Sequence, residues 1–144
     1  MARRRIATVT PDLLAATHAA ANTVDRPWTA AAFAALVARP GVIVTGTAQS
    51  FALVRVILDE AEILTIATDP ACQRQGLARA ALHAAEDAAR ARGAVTMFLE
   101  VAEDNSAARA LYAAAGYGPM GRRGAYYHRT DRPAVAALTL RKPL

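Results

Sequence analysis

Between Thr65 and Ala80 the chain reads Thr-Ile-Ala-Thr-Asp-Pro-Ala-Cys-Gln-Arg-Gln-Gly-Leu-Ala-Arg-Ala. A β-type run ends at Asp69-Pro70, a short polar turn follows, and Gly76 opens a long alanine-rich helix. The first backbone N–H groups of a helix have no intrahelical partner, and a glycine at its mouth clears side-chain bulk from them. That is an anion-binding arrangement, suited to a phosphate or pyrophosphate. A Walker A loop would need Gly-Lys-Ser/Thr, yet the only lysine is Lys142. A dinucleotide fingerprint would need three closely spaced glycines; here Gly76 stands alone, with Ala78 at the third position. The bland alternative is that Gly76 only ends a turn and Arg74 is a solvated charge.

The helix predicted from Gly76 to about Arg92 is amphipathic. Leu77, Ala81, Ala84, Ala85 and Ala88 form one face. Arg79, His83, Glu86, Asp87 and Arg90 form the other, with Glu86 and Arg90 spaced for an i,i+4 pair. Gly93 ends it, and Val95 to Val101 is a strongly apolar strand. Strand, helix and strand in that order imply a right-handed crossover between parallel strands.

Upstream, Arg3 to Val9 reads as a short strand. Thr10 caps a helix with Pro11 at its first position, running to about Ala21. Asn22 to Pro27 is a turn, and Thr29 caps a second helix to about Val37, stopped by Pro40-Gly41. Strands are predicted at Val42 to Thr45, Phe51 to Leu58 and Glu62 to Thr68, joined by turns at Gly46 to Ser50 and Asp59 to Ala61. Downstream, Asn105 caps a helix to Ala115, closed by Gly116. Strand character resumes at Tyr117, and Val135 to Leu140 is the last strand. The expected architecture is α/β: a mixed sheet of about seven strands with helices on both faces.

At 144 residues the chain is expected to form one domain over residues 1–144. Hydrophobic residues make up 54%, much of it alanine, so the core should rely on close helix–sheet contact. The net charge of +5 is almost all arginine. It suits a phosphorylated ligand, RNA or an acidic protein, or simply reflects an arginine-rich proteome. The single cysteine, Cys72, excludes an internal disulfide and has no local histidine to activate it. Arg3-Arg4-Arg5 leads into Ile6 to Val9 and not into a long apolar stretch, so no signal peptide or membrane span is expected and a cytoplasmic protein is. His18, His83 and His128 lack metal-ligand spacing, and no metal is expected.

The segment Gln73-Arg74-Gln75-Gly76-Leu77-Ala78 resembles the pyrophosphate loop of the GNAT N-acetyltransferases, Gln/Arg-x-x-Gly-x-Gly/Ala. The resemblance extends over nearly the whole chain and is greatest to the RimI type, which acetylates the N-terminal alanine of a small-subunit ribosomal protein. The matching segments are Pro27-Trp28-Thr29, Leu99-Glu100-Val101, the block Asn105 to Tyr117, and Arg122 or Arg123 followed by Tyr126-Tyr127. Two segments depart: Ala19, Ala20 and Ala21 stand where that type usually has an acidic residue, and Asp131-Arg132-Pro133-Ala134 where it usually has an acidic pair.

The resemblance implies the GNAT fold, mostly antiparallel with a central parallel pair, and acetyl-coenzyme A as co-substrate. It implies that Arg74, Gln75, Gly76, Leu77, Ala78 and Arg79 hold the pyrophosphate. The backbone of Ile66, Ala67 and Thr68 would pair with the pantetheine amides and offer an N–H to the charge developing on the thioester oxygen. Asn105 would contact the coenzyme arm, or act as a plain N-cap. Glu100 would be the base that deprotonates the amine, burial raising its pKa; the alternative is a strand-end carboxylate paired with an arginine. Tyr112 would be the acid that protonates the leaving thiolate, or would only pack against the sheet. Trp28, Tyr126 and Tyr127 would line the acceptor site, or serve as ordinary packing.

The expected partner is a peptide or protein N-terminus, possibly that of a ribosomal protein. The alternatives are a small-amine acetyltransferase, which the two departures keep open, and a non-catalytic acyl-coenzyme A-binding or RNA-binding module. Glu100 together with Tyr112 argues for an enzyme. No stripe of aromatic and basic residues supports nucleic acid as a partner.

Overall fold

The computed structural model of the chain describes residues 9–21, 27–128 and 133–144. Helix α1 spans Pro11–Ala21, its first turn capped by Thr10 Oγ1, which accepts from Leu13 N at 3.3 Å. Helix α2 spans Ala30–Val37, with Thr29 Oγ1 accepting from Ala32 N at 3.1 Å. Both starts follow the capping chemistry of the sequence. Strands β1 (Val42–Thr47), β2 (Ser50–Ile57) and β3 (Glu60–Thr68) form a meander. A 3-10 turn at Pro70–Cys72 leads to helix α3 (Leu77–Ala91). Strand β4 (Thr96–Ala102), helix α4 (Ser106–Ala114) and strands β5 (Gly118–Tyr127) and β6 (Val135–Pro143) complete the chain.

The strands form one six-stranded sheet in the order β1-β2-β3-β4-β6-β5. All neighbours are antiparallel except β3 and β4, the parallel pair joined through α3. The seventh predicted strand, Arg3 to Val9, lies outside the described residues but for Val9, as does most of the turn predicted at Asn22 to Pro27. The β2–β3 turn is tighter than predicted, with Ile57 paired to Glu60 and Leu58 at φ +56°. β3 therefore starts two residues earlier.

The sheet is covered on both faces. Ala81, Leu82, Ala85 and Ala89 of α3, with Tyr112 and Ala115 around α4, pack on Ala52, Val54, Ile63, Met97, Leu99 and Val101. Leu14 of α1 and Phe33 of α2 pack on Phe51, Leu53 and Ala67 on the opposite face. Alternation along each strand assigns the faces. In β3 it is interrupted once. Val54 pairs with Ile63 but Leu53 with Thr65, so Leu64 is an extra residue, a β-bulge. The bulge lets Ile63 and Ile66 both pack on the α3 side while Ala67 joins the other core.

The face of α3 differs from the one the sequence suggests. Glu86, read as solvated, is 1% exposed, whereas Ala84 is exposed. The expected pair with Arg90 does not form: Arg90 holds Asp87 at 2.9 Å, and Glu86 holds Lys142 at 3.0 Å.

Candidate active site

The site begins where the sheet comes apart. β3 and β4 are in register from Glu60–Thr96 to Ile63–Leu99 and no further. Beyond that row β3 continues to Thr68, paired only with β2, and β4 continues to Ala102, paired only with β6. The β4 side of Leu64–Thr68 is thus a strand edge inside the sheet, with alternate backbone N–H and C=O groups directed into a cleft. Ile66, Ala67 and Thr68 all lie on it, the Thr68 hydroxyl 2.8 Å from that of Ser50.

At the mouth of the cleft stands the loop before α3. Asp69 Oδ1 accepts from Ala71 N at 2.9 Å and sets the turn. Arg74 adopts φ +63°, an uncommon conformation for a residue with a side chain. Gly76 follows at φ +76° and gives the helix no side-chain cap. Its carbonyl accepts the first helical bond, from Ala80 N at 3.0 Å. The N–H groups of Leu77, Ala78 and Arg79 therefore precede the first helical bond and face outward from the helix start. A Cβ on Gly76 would meet nothing within 4 Å, so the space above the loop is open. Arg74, Gln75 and Arg79 are exposed around it, Arg79 Nε lying 3.5 Å from His83 Nε2. The donors, the helix terminus and the positive charge fit a pyrophosphate, and the strand edge behind fits an amide-bearing arm.

Glu100 and Tyr112 belong to opposite faces of the sheet. Leu99 and Val101 pack toward α3, so Glu100 between them projects to the α1–α2 face. The burial expected from the sequence is partial, about 30% of the side chain being exposed. Arg123 of β5 approaches it, Nη2 to Oε1 at 4.0 Å. Arg122 diverges and binds Glu103 at 2.9 Å, so Arg123 is the arginine that accompanies the tyrosine pair. Tyr112 is buried among the α3-side core, and its ring meets that of Tyr117 edge-on at 5.8 Å. Burial, and secondarily the nearby Tyr127 phenol, push the Tyr112 pKa up to about 12. At neutral pH it holds its proton.

Asn105 caps α4, its Oδ1 accepting from Ala108 N at 3.2 Å. The capping role is therefore present, and the amide nitrogen has two donors of its own. Trp28 is half-buried, stacked on His18 at 5.1 Å and 5.4 Å from Phe33, with its backbone N donating to His18 Nδ1 at 3.1 Å. Tyr126 is 45% exposed, and the Arg123 guanidinium sits 5.3 Å from its ring centre. Tyr127 meets Tyr126 edge-on at 5.2 Å. A bulge in β5, with Ala125 at φ +52°, turns this pair at the end of the strand.

Three residues tied to this region escaped the sequence reading: Glu86, Tyr117 as its partner, and Lys142. Their only sequence signals are that Lys142 is the chain's sole lysine and that Tyr117 closes the block beginning at Asn105. Among the described residues no three His, Cys, Asp or Glu gather in a metal-holding group, and no helix is long and apolar enough to cross a membrane.

Comparison with known proteins agrees with this geometry. The family model described as Acetyltransferase (GNAT) family matches residues 10–117. The ribosomal protein bS18-alanine N-acetyltransferase of Escherichia coli K12 is 39% identical over 126 residues, covering 85% of each chain. N-alpha-acetyltransferase RimI of Mycobacterium tuberculosis is 39% identical over 112 residues, 72% of this chain and 69% of its own. The crystal structure of the Escherichia coli ribosomal-protein-S18-alanine N-acetyltransferase superposes with a TM-score of 0.82 at 33% identity, over 92% of this chain and 86% of that one. The fold, the cleft and the loop thus have one explanation: the chain belongs to the GNAT family of acetyltransferases.

Proposed function

We propose that this enzyme transfers an acetyl group from acetyl-coenzyme A to the α-amine of an N-terminal alanine, that of a ribosomal protein, and so acts in the cytoplasm. The observation that carries the reading is the divergence of β3 from β4 after Ile63–Leu99, with Glu100 on one face of the sheet and Tyr112 on the other. The similarity to the bS18-alanine acetyltransferases supports the acceptor. The coenzyme supplies an activated acetyl thioester. Backbone N–H groups from Arg74 to Arg79 hold the pyrophosphate, and Ile66 to Thr68 hold the pantetheine amides. Asn105 donates to the coenzyme arm through its amide nitrogen. Glu100 takes the proton of the acceptor amine from the α1–α2 side, and Tyr112 supplies one to the departing sulfur from the α3–α4 side. Trp28, at the entry to α2, and Tyr126 and Tyr127, at the end of β5, frame the acceptor chain.

Substrate choice is tested with a panel of peptides beginning in alanine, set against polyamines and free amino acids. The peptides are expected to turn over and the small amines to be poor. Inert peptides beside reactive small amines would overturn the acceptor assignment and leave the family assignment standing.

The loop is tested separately. Gly76→Val forces a β-branched residue into φ +76° and thrusts methyl groups into the open space over the helix start. Acetyl-coenzyme A affinity is expected to weaken tenfold or more, about 1.4 kcal/mol. Unchanged affinity by calorimetry, with the fold intact by circular dichroism, would remove the pyrophosphate from this loop.

A further inference from the structure

Helix α3 carries a carboxylate into the core. Glu86 is 1% exposed, on the same face as Leu82, Ala85 and Ala89. Lys142 Nζ donates to both of its oxygens, at 3.0 Å and 3.1 Å. Tyr117 OH donates to Oε2 at 2.8 Å, and His83 Nδ1 lies 3.2 Å from Oε1. Lys142 sits near the end of β6 with 19% of its side chain exposed, and its ammonium is 5.7 Å from the centre of the Tyr117 ring. A buried ion pair of this kind is weak evidence for stability, because apolar side chains of similar volume often serve as well or better.

What the network does fix is the place of Tyr117. Its hydroxyl is tied to a charged acceptor, a strong and directional bond. Burial first, and then the bond to Glu86, push the phenol pKa far upward and keep the hydroxyl a donor. At its other end Tyr117 is joined to Tyr112 twice. Its backbone N donates to Tyr112 O at 3.0 Å, and the two rings meet edge-on at 5.8 Å and 65°. The contacts run without a break from β6, through α3, to the tyrosine of α4.

We propose that Glu86, held by Lys142, is a positioning residue for Tyr112, acting through the Tyr117 hydroxyl to fix the phenol that faces the leaving sulfur. The proposal rests on the reading of Tyr112 as the proton donor. The network's three members come from α3, the turn after α4, and β6, so packing of these elements sets the geometry of Tyr112.

Tyr117→Phe removes the hydrogen bond from the ring to Glu86 and leaves the Lys142 ammonium over it. In that variant kcat per folded molecule is expected to fall about tenfold or more, the scale of a displaced reactive group, with acetyl-coenzyme A affinity unchanged. Tyr112→Phe is measured alone and together with Tyr117→Phe. If the hydroxyl acts through Tyr112, Tyr117→Phe costs little more once the Tyr112 hydroxyl is gone. Fully multiplicative losses would overturn the proposal. So would a normal kcat in Tyr117→Phe beside an impaired Tyr112→Phe. Full activity in Tyr112→Phe would overturn the donor reading itself and the positioning role with it. A second variant, Glu86→Leu with Lys142→Met, replaces the ion pair by apolar side chains and is expected to stay folded with the same fall in kcat. Full kcat in that variant would reduce the network to packing and end the proposal.

Discussion

Glu100→Gln is expected to lower turnover by about 10²–10⁴-fold near neutral pH, the usual cost of losing a general base. Glutamine keeps the shape and the contact with β6, where Glu100 pairs with Thr139, and removes the basicity. The deficit should shrink as pH rises. A peptide α-amine titrates near ~8, so above that value a growing share of the acceptor is neutral without help. A pH-rate profile of the two proteins on an alanine-terminated peptide checks this. The partly buried carboxylate and its 4.0 Å approach to Arg123 offer a competing role as a structural pair. That role predicts a deficit independent of pH, or a lower melting temperature with kcat retained. A largely solvated pair at 4.0 Å contributes little to stability, about 0–1 kcal/mol, so even in that role the fall in melting temperature would be small.

Tyr112→Phe is expected to cut kcat by about 10² or more while acetyl-coenzyme A affinity stays nearly constant. The hydroxyl is needed only as charge develops on sulfur, so its loss belongs to the transition state and not to the ground state. The direction of its pKa sharpens the expectation. A phenol pushed up to about 12 by burial and the neighbouring Tyr127 stays protonated well above neutral pH. Ionisation of this group should therefore produce no fall in the wild-type rate up to about pH 10. A rate lost already near pH 9, and unaffected by Tyr112→Phe, would take the donor role away from this residue.

Local signals carried much of this molecule. Pro11, Thr29, Asn105 and Gly76 sit at the helix starts that their chemistry dictates, and the Asp69-Pro70 turn separates β3 from α3 as read. The candidate loop and the candidate residues Glu100 and Tyr112 are read from similarly short segments. What the sequence hid was long-range. The alanines of helix α3 spread over a broad arc that only partly overlaps the buried strip, so its pattern leaves the edge of the inward face open. Glu86 is buried because Tyr117 and Lys142, 31 and 56 residues away, meet it there. The bulge at Leu64 and the end of pairing after Ile63–Leu99 depend on neighbouring strands, which a strand's own alternation does not encode. Trp28 looked equally suited to a rim or a core, and its stack on His18 depends on two helices meeting.

The four-row parallel ladder has a mechanical meaning. Among the described residues, four registered rows and the adjoining bond from Val95 N to Asp59 O are the backbone pairing that joins the meander β1-β2-β3 to the β4-β6-β5 half. The sheet is therefore sewn at one end and open at the other, like a zip stopped halfway. An amide-bearing ligand lying along Leu64–Thr68 would serve as the missing rungs. Binding would then stiffen the sheet itself, and free-ligand concentration would set how tightly the two halves are held together.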